Sequence, residues 1–517
     1  MTQRASPTVS VVVPLVHARG DIVENVRTWT GAQTLARDRY QLVVAADGAA
    51  PEVERGIAGL LAPHDVLARA PGAGYMALYN LGAERAGADW LVLTEAHVLA
   101  DPGCLQSVVA ELEAAPDLDA AQLVAGDHVR PTRFAEILAE WFDTVFERWE
   151  QPGEWTRLSF FGTAIRRSVY LDAGVVNDDH GLFSPALLSA TLDAQGARIG
   201  RFADARVAHI ADDEITEHHE HTSDYARGEC VARAERNAVF CEGYFGWAPL
   251  WGNRARHRPD VARPVVRALG AAAAHALARP REDASWILRE LARWVPAAAG
   301  GSGLRAAVER AALAGEQRAA MRAPGRERRR RRLVRAHARV VLLAQLDWIR
   351  AHPDDSAPAH LDGVRRLRVE ELDGALTGVH ALEADGERWW RWTEPVVHLR
   401  LTAPASGGVL AIDTGGRRGA PLDYVRGVYV GARRIRNRRL RADGERLLIP
   451  LERDEWARAA REGLTILSRP LEPWREGSED HRRLGLPVYG VELVPEAGAG
   501  ASPVQTRTPV GARTWTR

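Results

Sequence analysis

Cysteine is scarce in this chain of 517 residues. The three present, Cys104, Cys230 and Cys241, are few and odd in number, so no disulfide framework is implied. Net charge is missing as well. Lys+Arg and Asp+Glu both total 68, so the chain as a whole carries no basic footprint for nucleic acid. Its basic side is arginine, a sign of coding bias more than of function. No run approaches the ~20 apolar residues of a membrane span. The longest candidate, 340–349, is interrupted by Gln345 and Asp347. Met1 to Pro7 lack the apolar stretch of a signal peptide. The expectation is a soluble cytoplasmic protein of about two or three domains, with no nucleic-acid partner.

What is present is an alternation. Val9 to Val13, stopped by Pro14, reads as a buried first strand. Ile22, Val23, Val26 and Trp29 mark one face of a helix between Asp21 and Thr34. Gln41 to Ala46 is a second strand, ending in Asp47 and Gly48. Val53 to Leu61 is a helix, Asp65 to Leu67 a short strand, and Met76 to Ala86 a third helix. Strands alternating with helices predict a doubly wound, mostly parallel α/β sheet. Such sheets hold ligands at the carboxyl ends of their strands. The fourth strand, Trp90 to Leu93, runs into Glu95-Ala96-His97 and then the turn Asp101-Pro102-Gly103. Side chains two residues apart on extended chain point the same way. A carboxylate and an imidazole therefore stand together, a pair that suits a divalent cation. The plainer reading makes them ordinary polar loop residues.

Taken in order, these motifs form a set: Val-Val-Val-Pro14, Gln33, Ala-Ala-Asp47-Gly48, Asn80-Leu-Gly82, Glu95-Ala96-His97, Phe161-Gly162-Thr163-Ala164, Ala173-Gly174 and Ala205 to His209. The set is similar to the family 2 glycosyltransferases over roughly residues 8–230. That resemblance implies a GT-A fold for residues 1–240 and transfer of a sugar, of the hexosyltransferase kind, from a nucleotide-sugar donor. It implies that Asp47 contacts the nucleobase, that Pro14 lines the nucleoside pocket, and that Asn80 and Glu95 belong to the nucleotide-binding set. Glu95-Ala96-His97 falls on the family's Asp-x-Asp motif, whose last residue binds the metal, Mn2+ or Mg2+. His97 would serve as a neutral nitrogen ligand, supported by Glu95, and His209 would complete the shell. A buried, satisfied histidine is the competing reading of His209.

Three departures stand out. The family's Asp-Asp is Ala46-Asp47 here, the arginine that often precedes its asparagine is Tyr79, and its Glu-Asp base falls on Phe183 to Ala186, where there is no acid. An inverting transfer needs a group to take the acceptor hydroxyl's proton. Asp179 is the first candidate and Asp178 the second, on the loop just upstream, with Asp212 or Asp213 next. The bland alternative is that Asp178 and Asp179 cap a helix from Ser184 to Gln195.

Asp212 to His221 is dense in metal-capable side chains but fits no closed zinc spacing, so it reads as a mobile polar loop over the donor. Residues 241–357 have helical spacing, with candidate helices Val261 to Ala278, Glu282 to Val295, Leu304 to Met321 and Arg328 to His352. Pro and Gly signals separate them. Arg328 to Arg332 is a solvated helix face, or a peripheral membrane contact if the acceptor is lipid-linked. From 358 to 497 short strands between Gly, Pro and Asp turns predict an antiparallel β-sandwich. Gly378 to Glu383 with Arg391-Trp392 and Asp480 to Gly485 is similar to jelly-roll modules appended to glycosyltransferases. Trp389, Trp390 and Trp392 either fill that core or stack on sugar rings. Residues 498–517 read as a disordered tail.

Two functions fit. The first is a metal-dependent inverting glycosyltransferase acting on a glycan, lipid-linked or small-molecule acceptor. The second is a catalytically impaired relative that binds glycan or serves as a scaffold. A nucleotidyltransferase would need an N-terminal Gly-rich, Arg- and Lys-bearing phosphate loop, which is absent.

Overall fold

The computed structural model of the protein describes residues 7–16, 22–128, 132, 134–139, 157–236, 238–245, 259–279, 283–352, 359–361, 366–372, 374–386, 388–402, 408–478, 480 and 482–494. The tail 498–517 and the segment 353–358 lie outside them. The chain divides into two compact units, Met1–Ala232 with Ala312–Ala344, and Arg233–Ala311 with Gln345–Arg517.

The first unit is built on an eight-stranded sheet in the order β3-β2-β1-β4-β7-β6-β8-β5. Its strands are β1 (Val9–Leu15), β2 (Tyr40–Ala46), β3 (Val66–Arg69), β4 (Trp90–Leu93), β5 (Val98–Ala100), β6 (Ala120–His128), β7 (Thr163–Arg166) and β8 (Ile199–Ile210). All seven residues of β1 and of β2 are buried, as parallel strands covered on both faces require. β1 pairs parallel with β2 and with β4, and β2 with β3. β7 runs antiparallel between β4 and β6, and β5 antiparallel to β8, so the sheet is mixed beyond its first four strands.

The helices α1 (Ile22–Thr30), α2 (Pro51–Ala58), α3 (Tyr75–Arg85) and α4 (Cys104–Ala114) follow the strands in alternation. Val26 and Trp29 of α1 and Leu105 and Val108 of α4 join β1 and β2 in one core. Close packing of α3 on β1 depends on Gly82. A Cβ there would lie 2.3 Å from Cγ1 of Val12. Further on come α5 (Arg167–Ala173), α6 (Ser184–Ala194) and α7 (Ile215–Glu235).

Helix α7 corrects one expectation, because Ile215 to His221 belongs to it and is not a loop. Periodicity is sought in apolar residues, and this helix buries histidines. His218, His219 and Thr222 face inward. His219 Nδ1 lies 2.6 Å from Gln317 Nε2, and the His218 ring stacks on His337 at 5.8 Å. Burial, helped by the neighbouring imidazoles, pushes His219 and His337 down to about 4. Both then hold fewer protons folded than unfolded, where a histidine titrates near 6.5. Their contribution is complete above that value and is lost as pH falls toward 4. The loss should total about 3 kcal/mol for the pair, allowing for solvent at both rings. Urea unfolding of the first unit at pH 7.5 and pH 4.5 measures it. A His337→Gln variant with an undiminished acid slope would remove the cause.

After α8 (Ala238–Phe245) and α9 (Pro259–Ala278), one helix, α10 (Asp283–Arg322), replaces the two separate helices expected from Glu282 to Met321. Packing of its flanking turns, with Trp294 and Ala306 fully buried, overrides the Pro and Gly signals between them. Helix α11 (Arg326–Ala351) carries the arginine block. Glu327 pairs with Arg330 and Arg331 one turn on, and Glu316 with Arg332, so the block is a solvated, acid-paired face. Among the described residues no helix is long and apolar enough to cross a membrane.

The rest of the second unit is built mainly of two antiparallel sheets, with a two-stranded parallel pair (Ala359–His360 beside Leu401–Thr402) and the helices Pro421–Tyr424 and Arg453–Glu462. Leu410, Ile412 and Ile449 from one antiparallel sheet and Val379, Val397 and Ile466 from the other share a core, which makes these two sheets a sandwich. The sequence offers Trp389 to Trp392 and Val396 to Thr402 as separate strands, whereas Trp389 to Leu399 belong to one strand, Arg388–Leu399, and Leu401–Thr402 form another. Trp390 and Trp392 are buried with Leu484 and Tyr489, the core-filling role. Trp286 and Trp294 pack against Val396, Tyr429 and Leu467, so α10 lies on the sandwich. Glu290 is fully buried on that helix and accepts from Arg483 at 2.6 Å and from Arg293 at 3.1 Å.

Candidate metal centre at the carboxyl ends of the sheet

The order β2-β1-β4 makes the gap between β1 and β4 the point where strand order reverses, the usual ligand position in such sheets. β1 ends at Leu15, β2 at Ala46 and β4 at Leu93, all on one side of the sheet. Thr94, fully buried, continues β4 by donating its N–H to the Val12 carbonyl at 3.1 Å. A tight turn follows, closed by Val98 N–H on the Glu95 carbonyl. That turn sends β5 back antiparallel to β8, with Val98 opposite His209. This register sets His97 beside His209.

Three side chains converge there. His97 Nε2 and His209 Nε2 lie 3.2 Å apart, and Glu95 Oε2 is 3.0 Å from the first and 3.3 Å from the second. A metal bound at about 2.0–2.2 Å has neighbouring ligands about 2.8–3.1 Å apart in octahedral and about 3.3–3.6 Å apart in tetrahedral geometry. The three edges fall within that span. Two imidazole nitrogens facing one carboxylate oxygen can form one face of a coordination shell and leave the opposite positions open. Burial pushes the Glu95 carboxyl up, but His97 and His209 together pull it further down, and it rests well below the usual carboxylate range. Glu95 is therefore an anion. Side-chain exposure rises from 4% at His97 to 21% at His209, so the group opens on its His209 edge.

Two tyrosines hold Glu95 in place. Tyr75 donates to Oε1 at 3.0 Å, and its hydroxyl lies 3.2 Å from that of Tyr79, which donates to the Thr94 carbonyl. Sequence reasoning passed over Tyr75 and met Tyr79 only as a departure from the resemblance. Their signal is an i,i+4 pair at the start of α3, one face of that helix.

The other expected residues sit around this group in different ways. Pro14 is buried near the end of β1. Asp47 follows β2, half-buried, and accepts from Gly72 N–H. Asn80 spends its amide on protein. It donates to the Val176 carbonyl at 2.9 Å and accepts from Tyr170 at 2.8 Å, which anchors the loop bearing Asp178. Asp178 Oδ1 accepts from Met76 N–H at 2.8 Å, so its carboxylate caps α3 across the chain. A Cβ at Gly74 would collide with that carboxylate at 2.2 Å. Asp179 is exposed. Phe183, Ser184 and Ala186, where the resemblance expects the base, are buried.

A second group of ligand-capable atoms lies at the start of α7, formed by Asp212, Glu217 and His221.

No protein-family model matches the chain, and no curated protein matches it. Among solved structures, the mannosyltransferase PcManGT from Pyrobaculum calidifontis, in complex with GDP-Man and Mn2+, is similar at a TM-score of 0.39 and 16% identity. The similarity covers 66% of this chain and 86% of that one.

Proposed function

We propose that the chain is a divalent-metal-dependent glycosyltransferase that takes its sugar from a nucleotide-activated donor and inverts the anomeric carbon. The observation that carries this reading is the convergence of Glu95, His97 and His209 at the reversal point of the sheet. These three residues would hold Mn2+ or Mg2+, which when bound neutralises charge on a departing nucleoside diphosphate. Asp47 and Pro14, at the ends of the neighbouring strands, form the floor for the nucleoside. The Tyr75–Tyr79 pair keeps Glu95 turned toward the imidazoles, and Asn80 and Asp178 fix the wall on the far side.

Calorimetric titration of UDP and GDP into the protein, with and without Mn2+, tests the reading. Binding should require the metal and should be followed by consumption of the matching nucleotide sugar. Affinity that ignores Mn2+, or no affinity for either diphosphate, would sink it. The buried, acid-free stretch at Phe183 to Ala186 favours one second reading, a relative that binds donor or glycan without turnover. Metal-dependent binding with no donor consumption is its signature.

A further inference from the structure

Beside the metal group lies a cleft of about 700 Å³. Tyr75 joins the two, since its hydroxyl holds Glu95 and its side chain lines the cleft. His221 lines the same cleft from α7. Its Nδ1 sits 3.0 Å from Oδ1 of the buried Asp212, whose other oxygen lies 3.3 Å from Nδ1 of His218. A carboxylate against Nδ1 fixes the tautomer, with the proton on Nδ1 and the basic lone pair on Nε2. An imidazole held by a buried carboxylate at the edge of a cleft is the arrangement of a general base.

Of the acids that line the cleft, two are engaged elsewhere. Asp178 caps α3, and Asp224 accepts from Leu182 N–H and pairs with Arg227. Asp179 is exposed and is not part of the cleft lining. The carboxylates of Asp178, Glu217, Glu220 and Asp224 face the cleft against the single cation Arg227, among the described residues. Such walls repel an acidic ligand.

We infer that this cleft receives the acceptor, an alcohol without acidic groups, and that His221, positioned by Asp212, takes its proton. The inference rests on the transferase reading above. The acceptor oxygen forms its bond to the anomeric carbon while its proton passes to Nε2 of His221. The bond from that carbon to the donor phosphate oxygen breaks, and the nucleoside diphosphate leaves with the electron pair. The imidazolium, paired with the Asp212 carboxylate, then returns its proton to solvent.

Water can stand in for the acceptor, so release of UDP or GDP from a nucleotide sugar by the full chain with Mn2+ is the readout. His221→Gln should lower kcat by about 10²- to 10⁴-fold and leave diphosphate affinity unchanged, which also shows that the variant is folded. Asp212→Asn should lower kcat with KM held, and Asp212→Glu should restore part of it. Neutral methyl hexosides should speed release more than the corresponding uronates. Full turnover in His221→Gln overturns the base, as does the same loss in Asp179→Asn with His221→Gln unaffected. A second Mn2+ per chain that disappears in His221→Gln would make these residues ligands and overturn it as well. Uronates equal to or faster than the neutral sugars overturn the acceptor class. A chain that binds the diphosphate and never turns over the donor counts against the inference, whereas one that binds neither diphosphate fails the transferase reading instead.

Discussion

Replacing His97 with Ala should weaken Mn2+-dependent binding of UDP or GDP by at least about 100-fold. Losing an outer-shell partner already costs about 10- to 100-fold in metal affinity, and His97 would be a direct ligand. The site offers three protein donors, so two remain, and the shell cannot be closed from elsewhere in the group. His209→Ala should behave alike, since its Nε2 completes the same triangle. The fold should survive both changes, because β5 and β8 are joined by backbone pairing that neither substitution touches. Titration calorimetry with and without Mn2+, beside a far-ultraviolet circular dichroism spectrum, gives the answer. An unchanged metal-dependent affinity in His97→Ala would take the metal away from this triangle.

Truncating Glu290 to Ala should destabilise the second unit by about 3–5 kcal/mol. Removal of one partner leaves the other charge buried and uncompensated, and that is the costly case for an interior ion pair. Glu290 is fully buried between Arg483 and Arg293, and Arg293 reaches on to Glu394 of the sandwich. Glu290→Gln, which keeps a hydrogen-bond acceptor, should lose less. Chemical denaturation followed by tryptophan fluorescence suits the measurement, with Trp286 and Trp294 buried on the same helix. A loss below about 1 kcal/mol would show that Arg483 finds enough compensation from Glu472, its other partner.

The first half of the fold is legible in the sequence because buried parallel strands leave unbroken apolar runs. Val9 to Leu15, Tyr40 to Ala46 and Trp90 to Leu93 are the clearest of them. Glu95 and His97 do stand together as the sequence suggests, but the cause is different: β4 ends at Leu93, and the turn closed by Val98 N–H on the Glu95 carbonyl, not extended chain, sets them side by side. What brings His209 to them is a register between β5 and β8, more than a hundred residues apart in sequence, and spacing cannot report such a contact. The first turns of α7 escape notice because their inward face is histidine and threonine, whereas the stretch from Tyr225, which buries Ala226, Cys230 and Ala232, reads as an amphipathic helix. Only the continuity of α10 escapes, because packing around Trp294 outweighs the Pro and Gly signals between its two expected halves. The Asp212–His221 contact is equally silent, since an aspartate looks the same in sequence whether it braces a neighbour or faces water.

The histidine interior of the first unit has a consequence for synthesis. His219 and His218 are covered by Gln317 and His337, which belong to the same unit but lie beyond the intervening 233–311. A nascent chain that has emerged as far as Ala232 has its whole sheet and no cover for that face. About 110 residues more must be translated before Ala344 closes the unit. At about 5–20 residues per second this takes roughly 5–20 s. For that interval α7 presents its polar, half-built face to whatever surrounds the ribosome. The first unit thus completes its packing only after the opening part of the second, 233–311, has been made.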